Sequence, residues 1–226
     1  MSQLSKFLSN SVGKKFVMAI TGLSMVLFLI EHLSGNLLLF SKDPLPYNKY
    51  SDFLLSFGWL IIAAELVLVG ILLLHVFSGI SIALGTLKAR PESYKKSANA
   101  SGPSKKTFSS TTMIYTGLLT FAFIVIHLKT FKYGAYYEMP VDGVVMRDLH
   151  RLVWEVFRNP YYVAWYVGTL LFLGFHLRHG FWSAFQSLGI SYPRCTPLIY
   201  SLGLFLSIAI AAGFIGIPLW IYFMGA

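Results

Sequence analysis

Five long apolar segments constrain this chain more than any other feature of its sequence. They run from about residues 16–40, 57–87, 113–131, 161–185 and 198–224. About 20 apolar residues in a helix span a bilayer core that is roughly 30 Å thick, so each segment is long enough to cross it. Only a helix satisfies all the backbone polar groups of such an open segment in lipid. The sequence therefore predicts an all-α integral membrane protein, with five transmembrane helices in a single domain over residues 1–226.

The low charge content supports this interpretation. Charged residues make up 12% of the chain, against about 25% in a typical soluble domain. A chain with 56% hydrophobic and 16% aromatic residues is also too apolar to be disordered. The net charge of +9 lies between the apolar segments, which is typical of membrane-protein loops rather than of a nucleic-acid-binding surface. We therefore expect lipid, and no nucleic acid, as the partner of most of the surface.

The basic residues collect on one side of a five-helix chain. That side carries Lys6, Lys14, Lys15, Lys88, Arg90, Lys95, Lys96, Lys105, Lys106 and Arg194, against the single acid Glu92. On the opposite side, basic and acidic residues are nearly balanced. The positive-inside rule then predicts a multi-pass protein of the cell inner (cytoplasmic) membrane, with the N-terminus in the cytoplasm and the C-terminus outside.

Two connecting segments have distinct patterns. The Lys88–Thr107 loop is rich in Ser, Lys, Gly and Pro and is expected to be solvated. Its charges either set the topology alone or form a docking surface for a cytoplasmic partner. In the outer segment Lys132–Pro160, apolar residues recur at helical spacing, at Met146, Leu149, Val153, Val156 and Phe157. This spacing predicts a short amphipathic helix on the membrane surface.

Histidines occur in each of the first four apolar segments and not in the fifth. Those in the segments are His32, His75, His127, His176 and His179, while His150 lies in the outer segment. Ionisable side chains inside a membrane are expensive and usually functional. A single such histidine is often only a hydrogen-bonded packing residue, but one in each of four successive helices favours a functional role.

The depth of each histidine follows from a rise of about 1.5 Å per helical residue. The first and third helices run outward, and His32 and His127 lie in their outer parts. The second and fourth run inward, and His75 and His176 lie at similar depths toward the cytoplasm. The sequence therefore predicts two pairs, His32 with His127 and His75 with His176, separated along the membrane normal by roughly 10 Å.

Two histidines at one depth on different helices can bind an iron from both faces of a haem. A zinc site would usually need three or four converging ligands. Small residues that leave room for a flat macrocycle lie close to these histidines, at Ser34, Gly35, Ser78, Gly79 and Gly180. The chain has one cysteine, Cys195, and no Cys-x-x-Cys-His motif, so the predicted haems are non-covalent and of b type.

Three segments resemble a known family. They are I-E-H-L-S-G-N (30–36), L-H-V-F-S-G (74–79) and F-H-L-R-H-G-F-W-S-A-F-Q-S-L-G (175–189). The chain resembles, over nearly its whole length, the cytochrome b membrane-anchor subunit of succinate dehydrogenases and fumarate reductases, of the five-helix, di-haem, single-subunit type. The third segment is the most specific.

This resemblance implies a ligand set. The outer haem iron is expected to be bound by His32 and His127, and the inner one by His75 and His176. His176 and His75 share an H-x-x-x-G pattern, which favours His176 over His179. His179 is then expected to contact a haem propionate or to hydrogen-bond a neighbouring helix, and it remains the alternative ligand.

The resemblance also implies the partners and the activity. The partners are a flavoprotein with FAD, where succinate and fumarate interconvert, and an iron–sulfur protein that relays electrons. This chain would anchor both and exchange electrons with membrane quinone, usually menaquinone in that family. It would thus be the non-flavin subunit of an enzyme of respiratory electron transport and the tricarboxylic acid cycle.

Glu31 and Glu65 are the only acids within the predicted spans. A buried carboxyl without a basic partner has a raised pKa and suits proton exchange with quinone. Glu65 lies about 15 Å nearer the outer surface than His75, at about the depth of His32. Either a quinone site or a structural hydrogen bond fits Glu65, whereas a structural role is favoured for Glu31. His150 is expected at the surface.

Two other functions fit parts of the pattern. One is the b-haem membrane subunit of another respiratory dehydrogenase or of a hydrogenase, although the S-A-F-Q-S-L-G segment argues against it. The other is a transporter whose histidines relay protons without haem.

Overall fold

The part of the chain that the structure describes consists mainly of helices, with one β-hairpin. The computed structural model describes residues 10–89, 107–141 and 143–225. The helices are α1 (Ser11–Asn36), α2 (Leu45–Leu55), α3 (Trp59–Ala89), α4 (Phe108–Thr111), α5 (Met113–His127), α6 (Leu149–Phe157), α7 (Pro160–Ser187) and α8 (Thr196–Met224). A 3-10 turn (Leu37–Phe40) extends α1, and a π-helical turn (Leu128–Lys132) extends α5. Strands β1 (Glu138–Val141) and β2 (Val144–Arg147) pair in antiparallel fashion.

Four helical stretches are long and apolar enough to cross a membrane. They are Ser11–Phe40, Trp59–Ala89, Met113–Lys132 and Thr196–Met224. They confirm the prediction of a multi-pass, mainly helical membrane protein and differ from the predicted segments by a few residues at their ends. The first helix begins earlier than predicted because the Asn10 side chain caps it, accepting a 2.8 Å hydrogen bond from the Gly13 N–H.

The fifth predicted segment, residues 161–185, forms α7, which does not qualify as a span by composition. His176, Arg178 and His179 and several Tyr and Trp residues make α7 less apolar than its neighbours. Yet α7 packs against α1, α5 and α8, and buried residues occur along most of its length. It is the central helix of the bundle, so its polar groups face other helices.

The other long helices surround α7 unequally. α1 contacts α3, α7 and α8, whereas α3 packs mainly on α1 and only slightly on α5. No residue of α3 is buried, and its apolar side chains point away from the bundle. An all-round apolar helix of this kind suits contact with lipid.

A polar network holds together the loops at one end of the bundle. We call this end, made of residues 41–56, 133–141 and 143–159, the cap. Asn48 is fully buried and donates a 2.7 Å hydrogen bond to the Asp148 carboxylate. Its Oδ1 accepts a 2.9 Å bond from the His150 backbone N–H, and the His150 Nε2 lies 3.1 Å from the Ser41 carbonyl oxygen. These bonds join the segment after α1 to the segment after α5.

The predicted amphipathic helix within Lys132–Pro160 corresponds to α6. Asp148 caps the first turn of this helix, because its side chain accepts a hydrogen bond from the Arg151 N–H. Two details of the prediction are wrong. Met146 lies in β2 rather than in the helix. The apolar face of α6 packs on α2, α7 and α8 as part of the cap, and His150, expected at the surface, is only 5% exposed.

Candidate functional site

Four of the six histidines meet in two pairs inside the bundle. The His75 and His176 ring centroids are 6.3 Å apart, and those of His32 and His127 are 5.9 Å apart. The first pair lies toward the end where α1 begins and is called the N-side pair. The second lies toward the cap and is called the cap-side pair. These are the pairs that helix depth predicts, and their role as metal ligands stays a prediction.

The N-side pair is built by two like contacts between helices. On one side, the His75 Nδ1 lies 3.2 Å from the Thr21 hydroxyl, and a Cβ at Gly22 would lie 3.2 Å from the His75 ring. On the other, the His176 Nδ1 lies 3.1 Å from the Thr116 hydroxyl. Each ring thus packs against a Thr-Gly dipeptide on the preceding long helix.

The glycine of each dipeptide is needed for this close approach. A Cβ added at Gly117 would lie 3.3 Å from the His176 ring, tighter than an ordinary van der Waals contact. The same holds for Gly22 and His75. Any larger residue at either glycine would require the histidine ring to shift by a few tenths of an ångström.

Aromatic rings surround the cap-side pair. His32 stacks on Phe28, with centroids 5.2 Å apart, and His127 stacks on Phe123 at 5.8 Å. Further rings within about 6 Å of the pair are those of Phe131, Tyr166 and Phe214. The cap-side pair therefore lies in an apolar pocket formed by four helical segments.

Polar contacts of the cap-side pair lead toward the cap. The His127 Nδ1 lies 3.3 Å from the buried Tyr166 hydroxyl. Asn36 donates a 2.7 Å bond to the His32 carbonyl oxygen and accepts a bond of 3.3 Å from the Tyr47 hydroxyl. Tyr47 in turn packs against His150, so the network of the cap reaches the backbone of His32.

His176, rather than His179, faces His75. His179 lies nearly one turn further along α7, toward the N-side end, and is partly buried. The choice of His176 as the ligand, and the role expected for His179, both stay predictions.

The two acids of the predicted spans both have partners. Glu65 forms an ion pair with Lys132, whose side chain follows His127 by little more than one turn. Glu65 is therefore not a carboxyl without a basic partner, because the π-helical turn that extends α5 brings Lys132 against α3. The side chain of Glu65 is 45% exposed, so it is not deeply buried among the described residues.

Glu31 accepts a 2.8 Å hydrogen bond from the Tyr50 hydroxyl of α2. Desolvation, followed by this hydrogen bond, raises the pKa of Tyr50 to about 12, so the phenol keeps its proton and remains the donor. Gly35 makes the contact possible, since a Cβ there would clash with the Tyr50 ring. Glu31 is thus anchored to the cap, which agrees with the structural role favoured for it.

The basic residues of the N-side end are only partly described. Lys14 donates a 2.8 Å hydrogen bond to the Ser81 hydroxyl, which ties α1 to α3. Lys15 lines a cavity of about 370 Å³ with Met18, Ser183, Gln186 and Ser187, between α1 and α7. Most of the Lys88–Thr107 loop, including the basic residues between 90 and 106, lies outside the described residues, as does Lys6.

Within the described residues, no three His, Cys, Asp or Glu side chains converge as a possible metal site. The histidines meet in twos, each pair bringing two ring nitrogens toward one space between helices. Such a pair can supply two opposed ligands to one metal ion whose remaining ligands come from elsewhere.

Thr21, Gly22, Thr116 and Gly117 are site residues that the analysis of the sequence missed. A repeated pattern could have revealed them, because M-x-x-T-G-L occurs at 18–23 and again at 113–118. In both copies a phenylalanine and then a histidine follow at the same spacing, Phe28 and His32 in the first and Phe123 and His127 in the second. α1 and α5 are therefore equivalent halves of the site.

Searches against protein-family models, curated proteins and solved structures find no match for this chain.

Proposed function

We propose that this chain is the di-haem cytochrome b membrane anchor of a succinate:quinone oxidoreductase, passing electrons between an iron–sulfur partner and membrane quinone. The observation that carries the proposal is the meeting of four intramembrane histidines in two opposed pairs, at ring separations of 6.3 and 5.9 Å. The motifs around His32, His75 and His176 support it, because they resemble those of that family.

The spacing within each pair fits a haem. Two imidazoles that bind opposite faces of one iron, each nitrogen about 2 Å from the metal, have ring centroids about 6 Å apart. His75 and His176 would hold the inner haem, and His32 and His127 the outer one. A bound b haem supplies reversible one-electron transfer.

The chain's own residues orient these ligands and exclude water. Thr21 and Thr116 contact the outward nitrogens of the N-side rings, and Tyr166 contacts that of His127. The aromatic rings around the cap-side pair keep its surroundings apolar, which favours retention of a large hydrophobic cofactor. On the N-side, His179 and the cavity beside Lys15 offer polar partners for the carboxylates of a haem.

Packing supports a fifth membrane crossing by α7. This helix of 28 residues is long enough to span a bilayer, and it carries His176 opposite His75 of the apolar helix α3. Because α7 contacts three of the apolar helices, its polar groups are covered by protein rather than by lipid. A five-helix chain then has its two termini on opposite sides.

Quinone is proposed to react near the cap. Quinone takes up two electrons and two protons to form quinol, so its site needs a group that exchanges protons. Glu65 is placed at this end by its ion pair with Lys132, and its partial exposure leaves it open to the membrane. Here the lysine would stabilise the carboxylate between turnovers, and Glu65 would deliver or accept the proton.

Orientation follows from the basic residues of the N-side end, which the positive-inside rule places in the cytoplasm of a bacterial-type inner membrane. The FAD flavoprotein and the iron–sulfur protein would then dock at this end, nearer His75 and His176. Protease or thiol-probe access to the Lys88–Thr107 loop from the inside only is expected. Access from the outside would reverse the orientation.

The deciding experiment is purification of the chain from its membranes, followed by a reduced-minus-oxidised absorption spectrum. We expect two b-type haems per polypeptide, a co-purifying flavoprotein, and haem reduction on addition of succinate. A preparation without haem absorption would refute the proposal and favour a proton-relaying transporter. Haem that is reduced by hydrogen or formate but not by succinate would assign the chain to another respiratory enzyme.

A further inference from the structure

Thr21 and Thr116 make the same contact at equivalent places. Each is a buried threonine of the M-x-x-T-G-L repeat, and each has its hydroxyl within 3.2 Å of the Nδ1 of a histidine on the following long helix. The first copy contacts His75, and the second contacts His176.

Both hydroxyls have already used their proton. The Thr21 hydroxyl lies 2.7 Å from the Val17 carbonyl oxygen, one turn back on α1. The Thr116 hydroxyl likewise lies 3.1 Å from the Thr112 carbonyl oxygen. A hydroxyl has one proton to donate, so toward the histidine each oxygen can only accept. The ring nitrogen that faces it must therefore carry the hydrogen.

A second carbonyl oxygen reinforces this assignment at each threonine. The Thr21 hydroxyl lies 3.2 Å from the Met18 carbonyl oxygen, and the Thr116 hydroxyl lies 3.2 Å from the Met113 carbonyl oxygen. A carbonyl oxygen only accepts, so these contacts also draw on the proton of the hydroxyl. A neutral imidazole with its hydrogen on Nδ1 has its lone pair on Nε2, the nitrogen on the far side of the ring from the threonine.

We propose that Thr21 and Thr116 are positioning residues that hold His75 and His176 in the Nδ1–H tautomer and make their Nε2 atoms stronger ligands. The inference rests on the proposed function, in which these atoms bind the inner haem iron. A ligand histidine that donates its other N–H to an acceptor is more basic toward the metal. The two threonines would thus lower the reduction potential of the inner haem and strengthen its retention.

The cap-side pair has no threonine in this arrangement, since the His127 Nδ1 faces the Tyr166 hydroxyl at 3.3 Å instead, and this makes the pair an internal reference for the threonine variants. The residue near the His32 Nδ1 is Asn36, whose amide nitrogen is 3.5 Å away and donates to the His32 carbonyl oxygen instead. Removing either threonine hydroxyl should therefore change the inner haem and leave the outer haem unaltered.

The test uses the whole complex with single variants Thr21→Val and Thr116→Val, which keep the shape of threonine and remove the acceptor. Redox titration and electron paramagnetic resonance report each haem separately. We expect the potential of the inner haem to rise in both variants, with its g values shifted and its retention weakened by about 10-fold to 100-fold. Thr21→Ser and Thr116→Ser should restore the wild-type values.

Thr120→Val is the matched control. Thr120 lies one turn beyond Thr116 on α5, and its hydroxyl donates 2.8 Å to the Thr116 carbonyl oxygen. This variant should leave both haems unchanged. Should a valine variant fail to accumulate, the Ala and Ser variants make the same comparison, because both lack the methyl group and only serine keeps the oxygen.

Several results would overturn the inference. One is an inner haem whose reduction potential is unchanged in both valine variants. Another is a serine variant that shifts this potential as much as the valine variant does. The third is the same shift of potential in Thr120→Val. If the wild-type complex contains two normal haems and one of these results is found, the inference about the threonines fails and the proposed function stands. A wild-type complex without haem would instead refute the proposed function itself.

Discussion

The N-side and cap-side pairs each consist of two histidines but have different surroundings. His75 and His176 rest on Thr-Gly dipeptides, at contacts made by the long helices alone. His32 and His127 lie among aromatic rings, and their surroundings continue into the hydrogen bonds of the cap. One pair is thus fixed by helix packing, and the other by helix packing together with a separate polar layer.

Under the proposed function, the difference would divide the roles of the two ends. The N-side surroundings, with a matched acceptor for each ring, would suit a stable electron carrier with fixed ligands. The cap-side end adds ionisable groups, Glu65 with Lys132 and Glu31 with Tyr50, which suit chemistry that couples electrons to protons. The duplicated pattern of α1 and α5 therefore supplies the cap-side histidines and the Thr-Gly dipeptides that contact the N-side histidines, and the segments of the cap make the two ends different.

The largest effect is expected from removing a ligand, which tests whether the pairs are independent. His75→Ala or His176→Ala should abolish the inner haem and leave the outer one, and His32→Ala or His127→Ala should do the reverse. The measurement is haem content per polypeptide together with the reduced-minus-oxidised spectrum. A variant that retains both haem spectra would remove its histidine from the ligand set. His179→Ala should keep both.

Glu65→Gln tests whether proton exchange belongs to the cap-side end. The amide keeps the size and hydrogen-bonding ability of the side chain but has no titratable proton. We expect both haems and succinate–dye activity to persist, and quinone-coupled turnover to fall by about 100-fold or more.

Lys132→Gln is the control for the ion pair, because it breaks the same contact and keeps the carboxyl. It should reduce quinone turnover much less than Glu65→Gln does. Equal losses of quinone turnover in the two variants would mean that the Glu65–Lys132 ion pair serves packing only. A structure with quinone bound beside His75 and His176 would exclude a quinone site at the cap-side end.

Gly117→Val tests whether glycine is needed to seat an N-side ring. The added side chain would crowd the His176 ring, at a cost of about 1–3 kcal/mol for overpacking, so inner-haem retention should fall about 5-fold to 100-fold. Gly70→Val on α3 is the control, because nothing lies within 4 Å of its Cβ position. If both variants bind haem equally well, the contact between residue 117 and the His176 ring is not tight enough to require glycine.

Asn48→Leu tests whether the cap supports the cap-side pair. It removes the partner of the His150 N–H and one partner of the half-buried Asp148 carboxylate, which keeps its bond from the Arg151 N–H, so we expect about 1–3 kcal/mol less stability from the unpaired His150 N–H. Thermal unfolding in detergent, followed by haem absorbance, should show the outer haem released first. Lys49→Ala, an exposed neighbour, should have no effect. Release of both haems at the same temperature would contradict the expectation that the cap supports only the cap-side pair.

The smallest effect is expected from Tyr166→Phe, which removes the hydroxyl 3.3 Å from the His127 Nδ1 and keeps the ring. Only the outer haem should change, by a small shift in potential seen in a redox titration. A shift in the inner haem instead would show that the two ends are coupled through α7.

Much of the fold could be predicted because membrane insertion depends on local properties. The length and apolar content of residues 57–87 are sufficient to predict a helix there, whatever it packs against. The depth of His32 or His176 follows from helical rise alone, which is why the structure brings together the expected rings. The M-x-x-T-G-L repeat was also present in the sequence, but a threonine in an apolar helix has no distinctive signal without its partner.

What only the tertiary structure decided is how each helix is rotated and which loops meet. Rotation sets whether Thr21 faces His75 or lipid, and it places α7 at the centre, where a less apolar helix is stable. The packing of the end of α5 on α3 pairs Glu65 with Lys132, and the meeting of the cap segments buries His150 and Asn48, which are far apart in sequence. The sequence by itself determined the helices and the depths of their histidines, because both depend on neighbouring residues. The hydrogen-bond partners depend on packing between distant segments, so they required the folded chain.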